Sequence, residues 1–322
     1  MGNLEIYFDP IQHKYTDNFS NAYTSVTTVI GSFKEKFSDK EVDIAKACEK
    51  IGRNPKHPKY LKYKNKTYTM ILNEWKSEGD RARDIGNTKH DYLETSVKSA
   101  TGFSSCFKPE SGRLFTVKDI INNNSLGLLN VNYFIETGIS VKYPEIFNII
   151  LGFVNGGWSI YAEICTYNYD LLISGLIDIL LFKDGMFVVL DWKTNKVRLR
   201  FEAGYYDKDV NGNPTEYIVT GEKLKGVLKH LDASKGNEYT LQLSTYATLT
   251  ERFGLQCMGL ILCHIRHDLY TKQHVKVLEN PELVGLNAID IHMIEYKKVD
   301  ADNMINSFAV NKAKEQSSLL IR

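Results

Sequence analysis

The pair Asp184-Gly185 lies between two apolar runs and constrains the fold more than any other feature of this chain. An Asp-Gly pair in that position is a strong signal for a two-residue β-hairpin turn. In such a hairpin Lys183 pairs with Met186, and counting outward places Asp178 directly opposite Asp191. Side chains opposed in this way have Cβ atoms roughly 4.5–5.5 Å apart.

Two carboxylates at that distance are costly without a partner. Their repulsion is about 3 kcal/mol at an effective dielectric constant near 20, whereas a neutral hydrogen bond contributes only ~1 kcal/mol. The pair therefore needs a cation, a shared proton or a strong donor. Lys193 emerges on the same face as Asp191, so the hairpin predicts a metal-binding carboxylate pair with a lysine beside it.

The strands around the two aspartates are apolar on both faces. The face of the aspartates also carries Leu176, Leu180, Phe182, Phe187 and Val189, and the other carries Ile177, Ile179, Leu181, Val188, Leu190 and Trp192. Such strands are usually central and covered on both sides, where carboxylates are rarely without a partner. The alternative is a bulge that shifts the register and leaves both aspartates at the rim of the sheet as surface charges.

Composition places the chain among ordinary globular proteins. Its 322 residues are 43% hydrophobic and 25% charged, enough for a large core in one elaborated domain or two lobes. No apolar run reaches membrane-spanning length and the first residues lack an export signal, so we expect a cytoplasmic protein with no membrane partner. The five cysteines form no Cys-x-x-Cys pattern. Their odd number and their spacing disfavour a disulfide framework or a zinc ribbon, and no iron–sulfur cluster is expected.

The basic residues are unevenly distributed although the net charge is only +1. Between Lys50 and Lys66 no acidic residue interrupts a basic series in which tyrosines are interleaved. Basic and aromatic side chains together suit a phosphate backbone with bases to stack on. The residues predicted to contact nucleic acid are Lys56, Lys59, Tyr60, Lys62, Tyr63, Lys64, Lys196 and Arg198. The alternative is a solvated loop, marked by Pro55 and Pro58, whose counter-charges lie elsewhere in the fold.

The order of apolar patterns predicts a mixed α/β fold. Residues 5–22 predict a short β-rich start, and a β-branched run over 24–30 ends at Gly31. Helices are predicted near 39–52, 67–99, 142–154, 239–252 and 300–315, and strands near 158–167, 172–183, 186–193 and 256–266. We expect an insertion or irregular connection over residues 100–137. Residues 202–220 are predicted to form a peripheral hairpin with its turn at Asn211-Gly212, and the tail is predicted to contain another strand pair.

Further candidate site residues lie outside the hairpin. Gln242 and Tyr246 are four apart and share one helix face, which we expect to pack against the sheet near the aspartates. The alternative is that Gln242 caps or hydrogen-bonds locally and that Tyr246 is a core residue. Gly86 in a helix indicates close packing, and His90 one turn later is a third metal ligand or a structural histidine. Glu163, on the first strand of the meander, is a catalytic candidate or a salt-bridge residue.

Four motifs in order resemble one nuclease family. They are Gly86-x-x-x-His90, Gly175-x-x-Asp178, Asp191-Trp192-Lys193-Thr194 and Gln242-Leu243-x-x-Tyr246. Together they resemble the RecB-like branch of the PD-(D/E)XK nuclease superfamily, over about residues 86–266. The segments Tyr23–Thr27 and Tyr239–Tyr246 are similar to phage-encoded members of that branch.

The resemblance implies a fold, a chemistry and a set of roles. We expect a restriction-endonuclease-like core, a mixed β-sheet with an antiparallel meander flanked by helices, over residues 138–322. A mostly helical lobe over residues 1–137 carries the His90 motif and the insertion. His90, Asp178 and Asp191 are implied to bind Mg²⁺ or Mn²⁺, and Lys193 to assist the attacking water. Gln242 and Tyr246 are implied to support the site or to contact DNA.

The implied activity is phosphodiester hydrolysis by an exonuclease acting on DNA ends or single strands, in phage recombination, repair or replication. The absence of a Gly-x-x-x-x-Gly-Lys motif places any helicase or recombinase partner in a separate chain. For a phage-encoded protein the expected location is the cytoplasm of the bacterial host. A non-catalytic nucleic-acid-binding protein on a nuclease fold and a sequence-recognising endonuclease remain alternatives.

Overall fold

The structure is a computed structural model, described over residues 4–12, 14–35, 40–102, 112–195, 197–209, 214–266 and 288–320. It is mixed α/β, with a mostly antiparallel sheet flanked by helices. Its strands are β1 (Ile6–Asp9), β2 (Lys14–Asp17), β3 (Ala22–Ser25), β4 (Ser159–Asn168), β5 (Ile173–Lys183), β6 (Met186–Asn195), β7 (Gly204–Lys208), β8 (Pro214–Val219), β9 (Gln256–Arg266) and β10 (Ala288–Ile294).

Within the described residues, eight strands form one sheet in the order β1-β2-β3-β5-β6-β9-β10, with β4 paired to β5. The pairings β3–β5 and β6–β9 are parallel, and the other pairings in this sheet are antiparallel. Strands β7 and β8 form a separate two-stranded sheet, as predicted for residues 202–220. Its predicted turn, Asn211-Gly212, lies outside the described residues.

The predicted hairpin register is confirmed. Lys183 pairs with Met186, and the pairing continues to Ile179 with Leu190. Asp184 and Gly185 have φ angles of 48° and 77°. Positive φ at both central residues is what a type I′ turn requires, and this turn matches the twist of the two strands.

The pairing of β5 with β6 ends just before the two aspartates, because a third strand uses the same edge of β5. β4 occupies one edge of β5 over most of its length. On the other edge, β6 pairs with residues 179–183 and β3 pairs in parallel with Ile173 and Ser174. Strands β6 and β3 therefore diverge at the level of Asp178 and Asp191. We call this point the fork.

Helices cover both faces of the sheet. They are α1 (Val26–Ser32), α2 (Glu41–Ile51), α3 (Tyr60–Tyr63), α4 (Tyr68–Ala100), α5 (Val117–Asn122), α6 (Val131–Glu136), α7 (Ile139–Lys142), α8 (Pro144–Asn155), α9 (Lys235–Glu251) and α10 (Lys298–Leu320). Buried side chains of α1, α5, α9 and α10 form one core with one face. Buried side chains of α4, α6, α7 and α8 form a second core with the other.

The strand faces follow the predicted alternation except at the fork. Leu180, Phe182, Phe187 and Val189 pack toward α9, and the alternate residues, such as Leu181 and Val188, pack toward α4 and α8. The prediction is wrong for Ile177, which packs in the α9 core instead of the opposite one. Glu163, opposite Asp178 in the β4–β5 register, has a φ of 54°. The regular alternation is therefore interrupted at this level of the sheet.

Other segments depart from their predictions. Residues 117–122 and 131–136 form short helices within the segment predicted to be irregular. Of the strand pair predicted in the tail, one strand, β10, is described, and residues 267–287 lie outside the described residues. The division into a lobe and a core at residues 137/138 stays a prediction, and β1–β3 join the same sheet as the later strands.

Candidate metal centre

Asp178 and Asp191 are brought together at the fork and are almost entirely buried. Asp191 is 0% exposed and Asp178 is 8% exposed. The backbone N–H of Trp192, beyond the end of the β5–β6 pairing, donates to Asp178 Oδ2 at 3.0 Å. A charged side chain thus replaces a backbone acceptor where the ladder stops. The prediction that both aspartates share one site agrees with this arrangement.

Helix α4 brings His90 to the same point. His90 Nε2 lies 3.0 Å from Asp178 Oδ1, and the His90 ring meets the Trp192 ring edge-on at 5.7 Å. The approach depends on Gly86, one turn earlier. A Cβ on Gly86 would lie only 2.9 Å from Thr194 Oγ1 at the end of β6. The predicted close packing at Gly86 is confirmed, and it allows α4 to lie close against the end of β6.

Lys193 completes an ion pair with the buried Asp191. Its Nζ lies 2.5 Å from Asp191 Oδ2 and 5.7 Å from the centre of the Tyr239 ring. The approach is an ion-pair contact, since neither Asp191 oxygen accepts a well-directed hydrogen bond from the described residues. Asp191 Oδ1 is buried with free lone pairs, which are suited to a further cation.

The pKa values of these groups separate into opposite directions. Burial, followed by the nearby Asp178 charge, raises the pKa of Asp191 to about 7. Burial also acts to raise the pKa of Asp178, but Lys193 and His90 outweigh it and lower that pKa to about 2. Burial acts to lower the pKa of His90, yet Asp178 raises it to about 9. Without metal, His90 is therefore an imidazolium paired with the Asp178 carboxylate.

Glu163 lies beside this group and interacts with α4. Its Oε2 is 3.4 Å from Lys98 Nζ, and Lys98 also pairs with Glu94. Burial, then the Glu94 charge, raises the pKa of Glu163 to about 7. Its left-handed backbone conformation is costly for a residue other than glycine, by roughly 1–3 kcal/mol, and such strain is concentrated at functional sites.

Gln242 and Tyr246 reach the site from α9 as predicted for one helix face. Gln242 Nε2 donates to the Tyr246 hydroxyl at 2.8 Å, and both side chains are buried. Burial, followed by the Asp191 charge, raises the pKa of Tyr246. A Cβ on Gly175 would overlap the Tyr246 ring, lying 2.9 Å from its Cδ1. Gly175, three residues before Asp178 on β5, therefore leaves room for the Tyr246 ring beside the site.

Four of the eight predicted nucleic-acid residues lie along two adjoining clefts. The first, of about 680 Å³, contains Arg198 and reaches the end of β6 at Asn195. The second, of about 1010 Å³, contains Lys59, Lys62 and Tyr63. The clefts share Tyr205, Tyr206 and Lys208 of β7. A basic surface with aromatic rings thus leads from the basic segment toward the fork.

Not every predicted residue of the basic segment is available to a ligand. Lys59 forms an ion pair with Asp207 of β7. Lys64 lies 5.7 Å from the ring centre of Tyr60, and Lys62 lies 5.5 Å from that of Tyr63. Lys56 is exposed, and Lys196 lies outside the described residues. The alternative interpretation, with counter-charges elsewhere in the fold, is correct for Lys59.

Two groups near the sheet were missed by the sequence predictions. Glu94 and Lys98 extend the His90 face of α4 at four-residue spacing, which is a usable signal for a shared helix face. The second group, on β9 and β10, consists of His264, Asp290 and His292. Only the alternation of Asp290 and His292 on one strand was visible in the sequence.

The donor set at the fork fits a hard divalent ion. It offers carboxylate oxygens from Asp178 and Asp191 and an imidazole from His90, with Glu163 nearby. Oxygen-rich sites with one or two carboxylates suit Mg²⁺ and Mn²⁺. Within the described residues, Asp191 Oδ2 faces the Lys193 ammonium, whereas the buried Asp191 Oδ1 has no hydrogen-bond partner.

No protein-family model matches the chain, and no curated protein is significantly similar to it in sequence. Among the described residues, no helix combines the length and the apolar character needed to cross a bilayer.

Proposed function

We propose that this protein is a Mg²⁺- or Mn²⁺-dependent DNA nuclease of the PD-(D/E)XK type, with a restriction-endonuclease-like core. One observation carries the proposal. The fork in the sheet places the buried Asp178 and Asp191 together, with Lys193 in contact with Asp191 and His90 in contact with Asp178. An ordinary structural role does not account for two carboxylates inside a sheet, one of which has an oxygen, Asp191 Oδ1, with no hydrogen bond from the described residues.

In this reaction Asp178, Asp191 and His90 would hold the metal, which when bound neutralises phosphoryl charge and acidifies a coordinated water. His90 has to release the proton that Asp178 favours before its Nε2 can act as a ligand. Burial acts to lower the pKa of Lys193, but Asp191 and Asp178 outweigh it and raise that pKa, so Lys193 keeps its positive charge. Its Nζ can therefore orient the attacking water or stabilise the charge that develops on the phosphoryl oxygens.

Gln242 and Tyr246 position this group. Their mutual hydrogen bond fixes the Tyr246 ring against Gly175, and the Tyr246 hydroxyl is close enough to interact electrostatically with Asp191 and Lys193. Tyr246 remains protonated because burial raises its pKa. Its hydroxyl can thus donate to a carboxylate or to a phosphate, whereas a phenolate could not.

The first cleft is the proposed path for DNA. Within the described residues it is lined by eight lysine and arginine side chains and three glutamates. Some of these cations are paired, as Lys34 is with Glu238, but Arg198 and Arg200 are exposed. Tyr205, 52% exposed on β7, offers a ring for stacking. Backbone contacts with a few stacked bases are the pattern of proteins that bind single strands or frayed ends without sequence preference.

These features favour an exonuclease that acts on ends or single strands, in DNA recombination, repair or replication. The test uses end-labelled single-stranded and duplex DNA with Mg²⁺, Mn²⁺ or EDTA. We expect progressive shortening with either metal and none with EDTA. Asp191→Asn should abolish cleavage, whereas Asp302→Asn, a surface aspartate 3.8 Å from Arg252, should not affect it.

Three results would contradict the proposal or part of it. Full cleavage by Asp191→Asn, or cleavage in EDTA, would refute the metal centre. DNA binding with no metal-dependent cleavage would instead favour a non-catalytic binding protein on a nuclease fold. Discrete fragments in place of progressive shortening would favour an endonuclease.

A further inference from the structure

A second group of ligand-type side chains lies on the sheet away from the two aspartates. Strands β9 and β10 pair antiparallel, with His264 opposite Asp290 and Leu262 opposite His292. Asp290 and His292 are two apart and so share a face of β10. One ligand atom each from His264, Asp290 and His292 lies within 4.8 Å of the other two.

One imidazole nitrogen on each histidine of this group lacks a hydrogen-bond partner within the described residues. His264 is 0% exposed, and its Nδ1 makes no hydrogen bond within the described residues. The same holds for His292 Nε2, which is also buried. The nearest acid to His264 Nδ1 is Asp290, whose Oδ2 is 3.8 Å away, too far for a hydrogen bond. Buried polar atoms are nearly always satisfied, so both nitrogens call for a ligand.

The surrounding residues are placed as supporting partners of a metal site. His264 Nε2 lies 3.2 Å from the Asn195 amide nitrogen. The reversed amide orientation would let Nε2–H donate to Asn195 Oδ1, leaving the Nδ1 lone pair free for a metal. Arg266 Nε lies 2.6 Å from Asp290 Oδ2. A carboxylate has about four lone-pair sites, so Asp290 can hold Arg266 and still act as a ligand.

We propose that His264, Asp290 and His292 form a second metal site, which takes Zn²⁺ or a similar transition-metal ion. Two imidazoles and one carboxylate suit such ions, whereas Mg²⁺ prefers a fully oxygen set. Three protein ligands leave one position of a tetrahedral ion open to water. The side chain of Asp290 is 35% exposed and provides the opening to solvent.

The site would link the edge strand β10 to β9, which pairs in parallel with β6. In that pairing His264 lies beside Lys193. A bound cation would therefore add positive charge next to the proposed DNA path as well as fasten the edge of the sheet. The proposal concerns metal binding alone and is independent of nuclease activity.

The experiment measures metal content. The parent protein carries Asp178→Asn and Asp191→Asn, so that the fork cannot hold a metal. After removal of metal by a chelator, Zn²⁺ stoichiometry is measured by equilibrium dialysis, and coordination by the visible absorption of the Co²⁺ form. We expect one equivalent of Zn²⁺ and the intense bands of a tetrahedral Co²⁺ ion.

His292→Ala should weaken Zn²⁺ binding more than about 100-fold, since even the loss of a supporting residue costs about 10- to 100-fold. His230→Ala is the matched control, because His230 is an exposed histidine paired with Asp300 and should have no effect. Asp290→Asn is the second variant, should His292→Ala fail to fold by near-ultraviolet circular dichroism. The proposal is overturned if the parent binds no stoichiometric Zn²⁺, or if the folded variants bind it as tightly as the parent.

Discussion

Replacement of Asp191 by asparagine is expected to stabilise the metal-free protein while removing its function. Burial and the Asp178 charge raise the pKa of Asp191 from its ordinary value of 3.8 to about 7. Each pKa unit corresponds to about 1.4 kcal/mol. An ionised Asp191 therefore destabilises the folded state by on the order of 4 kcal/mol at pH 8.

The direction of the pH dependence follows from this raised pKa. Below about pH 4 Asp191 is protonated in both the folded and the unfolded chain, and the cost is absent. It grows as the pH rises and is complete above pH 7, where the folded protein also ionises. Asp191→Asn should thus raise the free energy of unfolding by about 4 kcal/mol at pH 8 and by about 2 kcal/mol at pH 5.

Asp178→Asn is the matched control because the same substitution, a few ångströms away, should have the opposite sign. Lys193 and His90 outweigh burial and lower the pKa of Asp178 from 3.8 to about 2. Its ionised form therefore stabilises the fold above pH 4 by about 2 kcal/mol, and this stabilisation is lost as the pH falls through 2. Asp178→Asn should be less stable than the wild type at pH 8.

Urea unfolding in EDTA, at pH 5 and pH 8, measures both effects. At pH 8 the expected order of stability is Asp191→Asn, then wild type, then Asp178→Asn. Added Mg²⁺ should stabilise the wild type by binding the folded state and should have little effect on either variant. The reasoning is refuted if Asp191→Asn is less stable than wild type at pH 8, or if its effect is equal at both pH values.

Three further predictions concern packing, chemistry and DNA binding. Gly175→Ala should destabilise the fold by about 1–3 kcal/mol through overlap with Tyr246. Gly152→Ala, at an exposed position of α8 with open space around its Cβ, should instead stabilise the fold by about 0.5–1 kcal/mol; thermal unfolding compares the two variants. Lys193→Met should abolish cleavage yet retain Mg²⁺ binding by calorimetry, and loss of binding would assign Lys193 a structural role. Arg198→Ala should reduce the salt dependence of DNA binding by about one counterion, measured by fluorescence anisotropy across a salt series.

The hairpin was predictable because its signals are local. The Asp-Gly turn and the period-two alternation of β5 and β6 involve neighbouring residues, and together they determine the register from Lys183 to Leu190. The long helix α4 and the strand β9 were equally visible from periodicity. These elements lie within a few residues of their predicted bounds.

Local propensity gave no indication of α1. Residues 24–30 are β-branched almost throughout, which favours a strand, yet a helix begins at Val26. Ser25 caps it, accepting the Thr28 N–H at 3.1 Å. Val26, Val29 and Ile30, at helical spacing, are buried in the α9 core. Tertiary burial thus outweighs the modest propensity of these residues.

The contacts that complete the site depend on pairing across long stretches of chain. His90 and Asp178 are 88 residues apart in sequence. Thr24 pairs with Ile173 although several helices lie between them along the chain. No local pattern specifies that β3 pairs with the part of the β5 edge that β6 leaves free. The residues at the fork could therefore be predicted from the sequence, whereas the position of the fork in the sheet could not.

The fork itself explains why acidic residues can occupy the centre of an apolar sheet. One edge of β5 pairs with β6 along one half of its length and with β3 along the other half, so backbone pairing is interrupted between the two halves. The Trp192 N–H freed by that interruption is satisfied by Asp178. Glu163 interrupts the β4 pairing at the same level. The sheet thus lacks a backbone acceptor at this level, and the Asp178 charge is tolerated because it replaces a hydrogen bond that the topology removes.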